Sequence, residues 1–327
     1  MSRPIWVTIS IDTEEDNWEA SSLPTTANLR LLPSVGQKLR ERGVRCTWFA
    51  TQCAIEDAEA GAWLAAEWQS GHAEVGAHLH PWNTRPFDPY SPILPRETML
   101  SNLPESVQRE KLASLTGSIV NVTGRRPTTF RAGRWGLGPS TARACHSLGY
   151  RVDSSVMPGI SWESVDGPSY IGAHSDVHHF EPDAIGVPVA PSGKTLFEVP
   201  VTVGFTRPGA SIWRALQRRV VPVPGGPQTS GLVHRSGLLR KVQFSPELVP
   251  ARDLAAATRA HIADGARFIH AYWHSPSHVE GSHFMATDHD VDALWRRLDA
   301  ILDTAHRHAD VRFGTVAEVA NALDRSF

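Results

Sequence analysis

The chain has 327 residues, enough for one barrel-type core or two smaller ones, and a formal charge of −2 from 32 basic and 34 acidic residues, which excludes a general nucleic-acid binder. Three cysteines, Cys46, Cys53 and Cys145, fall in no C-x-x-C spacing, which argues against a thiolate zinc site or a disulfide framework and fits a reducing compartment. The first apolar run is too short for a signal peptide and no later one is long enough to span a bilayer, so a soluble, cytoplasmic protein is expected.

Taken in chain order, runs rich in β-branched and aromatic residues mark strands at "IWVTISID", "CTWFAT", "EVGAH", "TTFRAG", "RVDSSV", "LFEVPVTVG", "RFIHAYWH" and "VRFG". Helical patterns fall between most of them: "ANLRLLPSVGQKLRERG" and "DAEAGAWLAAEWQSG", stopped by Gly43 and Gly71, then "ESVQREKLASLTGSIVNVTG", "STARACHSLG" and "ARDLAAATRAHIADG". Near the end "DVDALWRRLDAILDTAHRH" puts Val291, Leu294, Leu298, Ile301 and Leu302 on one face, and "TVAEVANAL" follows the last strand. Sustained alternation of this kind predicts an α/β fold, a parallel (β/α) barrel formed as a single domain over residues 1–327. Two excursions interrupt it. Residues 157–194 are rich in Pro, Gly and His, and residues 205–245 carry Arg214, Arg218, Arg219, Arg235, Arg240 and Lys241, a basic set suited to an anionic group or a membrane surface unless it pairs with local acids.

In a parallel barrel the site lies at the carboxyl ends of the strands, and five runs end in polar residues there: "IDTEED", "HLH", "FRAGRW", "VDSS" and "YWHS". His78 and His80 stand two apart, so on an extended chain both imidazoles face one side and can reach one ion. A carboxylate with two imidazoles suffices for zinc or another divalent ion that keeps a position open for water. Any one of these strand ends would also serve as a helix cap, a surface turn or a buried ion pair. His174, His178 and His179 form a further cluster, read as an exposed loop rather than a second metal site.

The order of these motifs resembles the NodB-like polysaccharide deacetylases, carbohydrate esterase family 4, in the branch with "HLHPW" and "FRAGRWG" signatures. That resemblance implies a distorted (β/α) barrel and metal-assisted hydrolysis of an N-acetyl or O-acetyl group on a sugar. It makes Asp12 the general base, Arg131 the arginine that orients it, Trp135 the donor of a backbone N–H to the oxyanion, and His274 the acid for the leaving group. Asp153 corresponds to an aspartate that orients the histidine or lines the groove. The metal ligands implied are His78, His80 and Glu14, with Asp16 as competitor to Glu14, because the usual adjacent aspartates are replaced here by "DTEED" and Trp82 stands where the second histidine is usual. His270 reads as a buried, hydrogen-bonded histidine. Trp18, Trp48, Trp82, Trp135, Trp162 and Trp273 are candidates for a sugar-stacking surface. The rival expectations are a non-catalytic sugar-binding protein on the same barrel and an amidohydrolase-like metal hydrolase.

Overall fold

Strand β1 (Pro4–Thr13) is buried from Val7 to Thr13, as a strand covered on both faces must be, with Thr8 and Ser10 buried between Val7, Ile9 and Ile11. The computed structural model describes residues 3–16, 25–88, 93–209, 212, 239–280 and 291–324. Within it, β1 is followed by α1 (Leu32–Glu41), β2 (Cys46–Ala50), α2 (Gln52–Glu56), α3 (Ala58–Gln69), β3 (Ala73–Leu79), α4 (Glu105–Thr123), β4 (Thr129–Ala132), α5 (Pro139–Ser147) and β5 (Val152–Asp153). Short strands β6 (His178–Phe180), β7 (Leu196–Glu198), β8 (Val203–Phe205) and β9 (Lys241–Gln243) come next, then α6 (Ala251–Ala263), β10 (Phe268–His274), α7 (Val291–His308), β11 (Asp310–Phe313) and α8 (Val316–Leu323).

The main sheet runs β10-β1-β2-β3-β4-β5-β7-β6, with β11 beside the first residues of β1. Every pairing in it is parallel except β6 with β7, so the sheet is mixed at one end rather than wholly parallel. It curls into a distorted barrel. The predicted run "LFEVPVTVG" is not one strand but two, split at Pro200, which has no N–H for a ladder. The chain crosses the barrel's open side there: Val201 N donates to Val156 O at 3.3 Å, and Thr202 N to His270 O at 3.0 Å on β10. Tyr272 N then donates to Phe244 O at 3.0 Å, so the outer edge of β10 is met by the β8–β9 ribbon through separate bonds rather than a ladder.

Local signals place the helices. Gly124, left-handed at φ 71°, caps α4, and Thr315 with Glu318 forms a reciprocal capping box at the start of α8. On α7, Leu294, Leu298, Ile301 and Leu302 are buried, as the pattern required, while Val291 in the first turn is only partly covered. The three cysteines are unpaired. Among the described residues no helix is long and apolar enough to cross a membrane.

The two excursions differ. His178 and His179 sit on β6 rather than on an exposed loop, with His178 buried and His179 Nε2 3.1 Å from Asp324, because β6 extends the sheet beyond β7. In the second, Arg214, Arg218, Arg219 and Arg235 lie outside the described residues. Arg240 pairs with Asp253 at 2.7 Å, and Lys241 Nζ donates to Gly159 O at 2.7 Å.

Candidate metal and catalytic site

Strand register alone brings the predicted residues to one end of the sheet. Asp12 on β1 is level with His274 on β10, and His78 on β3 is level with Arg131 on β4. Glu14 and His80 lie just past the ends of β1 and β3 and are also buried.

Glu14 Oε2 lies 3.4 Å from His78 Nε2 and 3.1 Å from His80 Nε2, and the two nitrogens are 3.1 Å apart. Three ligand-type atoms thus form a small triangle. A divalent ion that binds nitrogen and oxygen at about 2.0–2.2 Å separates neighbouring ligand atoms by roughly 3.0–3.5 Å, so these residues fit an ion without rearrangement. Each imidazole is oriented through its other nitrogen: His78 Nδ1–H donates to Arg131 O at 3.0 Å, and His80 Nδ1–H to Glu15 Oε1 at 2.9 Å. Both bonds leave the Nε2 lone pairs facing Glu14, the tautomer a metal requires. Glu15 is held in turn by Asn83 Nδ2 at 2.5 Å and by the Thr51 hydroxyl at 3.4 Å.

The field at this point is strongly negative. Burial works against a charged His80, but Glu15 and Glu14 outweigh it and raise its pKa to about 10. Burial would also raise Glu14, yet His274, His80 and His78 hold it well below the usual carboxylate range. The charges that keep a proton on His80 equally favour a metal cation in the proton's place.

Arg131 is fully buried and gives Asp12 its nearest partner, with Nη1 2.6 Å from Asp12 Oδ1. Its Nε and Nη2 donate to Ser154 O and Oγ at 3.0 Å each, and Phe49, Trp135 and Tyr272 surround it with ring centroids 4.4, 5.3 and 5.9 Å from Cζ. The other carboxylate oxygen of Asp12 lies 3.9 Å from His78 Nε2 and 3.7 Å from His274 Nε2. His274, with a side chain 19 % exposed, meets Glu247 Oε1 through Nδ1 at 2.7 Å, while Glu247 Oε2 accepts from His274 N at 3.0 Å and from Ser277 Oγ at 2.5 Å. Burial disfavours charge on His274, but Glu247, Glu14 and Asp12 raise its pKa to about 9, so the ring carries a proton at neutral pH.

A cleft of about 350 Å³ opens over these groups. Asp12, Glu14, His78, His80 and His274 form its floor; Trp135 and Arg134 flank it, and Ser161, Trp162, Ser164 and Val165 from the first excursion form a wall.

No protein-family model and no curated protein matches the sequence. Solved structures do. A Mycobacterium smegmatis protein provisionally assigned as a polysaccharide deacetylase aligns over 97 % of this chain and 90 % of its own at 15 % identity, with a TM-score of 0.51. A Pseudomonas aeruginosa protein provisionally assigned in the same way aligns over 99 % and 92 % at 13 % identity, TM-score 0.51. This chain has the polysaccharide-deacetylase fold. A Parabacteroides distasonis protein, provisionally a glycoside hydrolase/deacetylase, aligns over 100 % of this chain and 72 % of its own at 15 % identity and a TM-score of 0.56.

Within this deacetylase fold, Asp12, Glu14, His78, His80, Arg131, Trp135 and His274 come together around one cleft. Asp153 does not join them. Its carboxylate accepts from Ser155 N and Oγ at 2.8 Å each and lies beside Glu198, level with it on β7, while Glu247 occupies the His274 nitrogen that Asp153 was expected to orient. Asp16 bonds to the Thr25 hydroxyl instead of turning toward the histidines, so the acid in the triangle is Glu14. His270 is buried, with Nε2 2.8 Å from Ser10 Oγ and 3.3 Å from Arg131 Nη2, and burial and Arg131 keep it neutral. Trp48 and Trp273 are core residues, and Trp82 stacks on His80 with centroids 4.3 Å apart; of the expected aromatic surface only Trp135 and Trp162 line the cleft, and Trp18 lies outside the described residues.

Sequence reasoning missed Glu15, Glu247 and Gly133. A Cβ on Gly133 would collide with the His80 ring and stand 2.6 Å from Leu79 O, so only glycine lets the β4 turn pass the ligand. The second glutamate of "DTEED" was the available signal for Glu15. Glu247 had none, because 26 residues of sequence separate it from His274 and only the closure of the barrel joins them.

Proposed function

We propose that the chain is a metal-dependent deacetylase that hydrolyses an N-acetyl or O-acetyl group on a sugar or glycan precursor, as a single barrel domain working in the cytoplasm. The observation that carries this reading is the Glu14–His78–His80 triangle, with Asp12 3.9 Å from His78 on one side and His274 3.7 Å from Asp12 beyond it. Glu14, His78 and His80 would hold the ion, zinc by preference for this donor set, and it would supply Lewis acidity toward water and the acetyl carbonyl.

The protein's own residues divide the remaining work. Asp12, fixed by Arg131 Nη1, takes a proton from the attacking water. The backbone N–H of Trp135 stabilises the developing oxyanion, in a turn pinned by the Tyr170 hydroxyl, which donates to Trp135 O at 2.6 Å. His274, protonated and clamped by Glu247, delivers a proton to the leaving nitrogen or oxygen. A binding protein with a lost metal site would lack the convergence of Glu14 with both histidines, and an amidohydrolase-like site would carry histidines, not Asp12 and Glu14, on the first strand.

The test is elemental analysis of the purified protein with acetate release from a panel of acetylated sugars. The wild type should hold a stoichiometric divalent ion and release acetate, and His78→Ala should lose both. Full metal retention in His78→Ala sinks the ligand assignment; a metal-loaded wild type that releases no acetate from any sugar sinks the activity.

A further inference from the structure

A lysine inside a fold, bonded to carbonyls rather than to an acid, is costly, and α4 carries one. Lys111 is 5 % exposed; its ammonium donates to Thr84 O at 2.7 Å and to Pro86 O, and both acceptors belong to the loop that follows the ligand His80. Burial lowers its pKa to about 8, with Glu110 opposing, which reflects the same cost. Hydroxyls would satisfy such carbonyls one at a time without burying a charge. An ammonium carries several donors on one atom and so ties both carbonyls to a single point of the helix.

The loop is gripped from two directions. Toward α4, the helix face that carries Lys111 also carries Ser114 and Ser118, whose hydroxyls accept from Gln52 Nε2 at 3.1 and 2.9 Å, while Gln52 Oε1 accepts from Arg85 N at 2.8 Å. Toward the site, Asn83 N and Thr84 N donate to His80 O at 3.4 and 3.1 Å, and Trp82 stacks on the His80 ring. Asn83 Nδ2 donates to Glu15 Oε1 at 2.5 Å, and this is the oxygen that accepts from His80 Nδ1 at 2.9 Å. Residues 81–86 therefore form a bracket between α4 and the imidazole. Thr84, where the ammonium pulls, is adjacent to Asn83, which holds Glu15.

We infer that Lys111 is a positioning residue for the metal ligand His80, acting through the loop at residues 81–86. The inference rests on the ligand reading of Glu14, His78 and His80, and not on the sugar or the acetyl group. Without the ammonium, Gln52 still holds Arg85 N and keeps the loop on the helix, but Thr84 O and Pro86 O lose their common anchor. Asn83 then loosens from Glu15, and the His80 ring loses the bond that aims Nε2 at the ion.

The experiment measures, for each purified variant, zinc affinity by competition with a chromophoric chelator, the visible spectrum of the cobalt-substituted protein, and the melting temperature without metal. The variants are Lys111→Met, Asn83→Ala and the two combined, beside the wild type. Lys111→Met should bind zinc about 10- to 100-fold more weakly, the range for disturbing what orients a ligand, and should alter the cobalt bands, which report the geometry at the imidazoles. Asn83→Ala should do the same, and the combined variant should lose no more than the weaker-binding of the two, because both changes reach His80 along one path. Lys111→Gln, shorter and uncharged, should weaken zinc binding likewise and carries the test should the methionine variant fail to fold. Wild-type affinity and spectrum in Lys111→Met, whatever its melting temperature, overturn the inference and reduce the lysine to a staple of the fold; losses that add in full in the combined variant overturn it too. A wild type that binds no zinc overturns the ligand reading, and the inference with it.

Discussion

Arg131 serves the site with two different parts. Its side chain holds Asp12, and its carbonyl oxygen accepts from His78 Nδ1, so the base and one ligand are positioned by the same residue through atoms that substitutions affect separately. His274 has no such economy and depends on a partner from another element. Replacing Glu247 by Gln removes the first charge that supports a proton on His274 against burial. The sign follows directly: Glu247, Glu14 and Asp12 raise the His274 pKa, so the acid form is present below that raised value and is lost as pH rises through it. In Glu247→Gln the alkaline limb of kcat should therefore move to lower pH, with metal content unchanged. A limb that stays in place would show that Glu247 only packs. His78 and His80 were legible in the sequence because strand parity is a local property, and Glu15 left only the second glutamate of "DTEED" as a signal, whereas Glu247 acts by a contact across the barrel seam, which no spacing encodes.

At the scale of elements, the turn after β4 is the tightest part of the site. Gly133→Ala forces the new methyl against His80 and Leu79 O. Metal affinity should fall by about 10- to 100-fold, the usual cost of disturbing what orients a ligand, while far-UV circular dichroism stays native. Unchanged affinity would mean that β4 can yield. The short helical segment after β10 (Ser275–His278) makes a different prediction. His278 is buried, accepts from Trp273 Nε1 at 2.9 Å and stacks on Trp295; burial, reinforced by Lys38, lowers its pKa to about 3. A histidine neutral when folded is protonated only in the unfolded chain as pH falls below about 6.5, so it costs progressively more stability from there down to about 3. Whatever His278→Phe costs at neutral pH through the unpaired indole, the stability difference should shift in favour of the variant as pH drops from 7 to 4, measured by denaturant titration. Most elements were legible from periodicity and stops. The split of "LFEVPVTVG" at Pro200 was not, because its runs read as one strand until the chain is seen leaving β5 for β10.

For the molecule as a whole, the α/β class and barrel architecture followed from alternation, and the mixed edge at β6 did not, since its three residues carry no strand signal beyond "HHF". The barrel's seam is also where the second excursion begins and ends. Val203 to Phe205 pair antiparallel with Lys241 to Gln243, Thr206 N donates to Arg240 O at 3.0 Å, and Arg240 N donates to the Thr206 hydroxyl at 3.0 Å. The two ends of the chain between residues 206 and 240 are thus buttoned together, and Glu247 comes only after the button. The β8–β9 pairing and the Thr206–Arg240 bonds fix both ends of this stretch, and closing a shorter loop between fixed ends costs no more entropy than closing a long one. Replacing residues 210–238 with a brief Gly-Ser turn should preserve the melting temperature to within a few degrees and leave metal binding intact. A collapse of folding on excision would mean the stretch is part of the wall rather than hung from it. If the paired ends hold without it, the sequence between these two strands is free to vary in length and content while the metal and catalytic residues below keep their places.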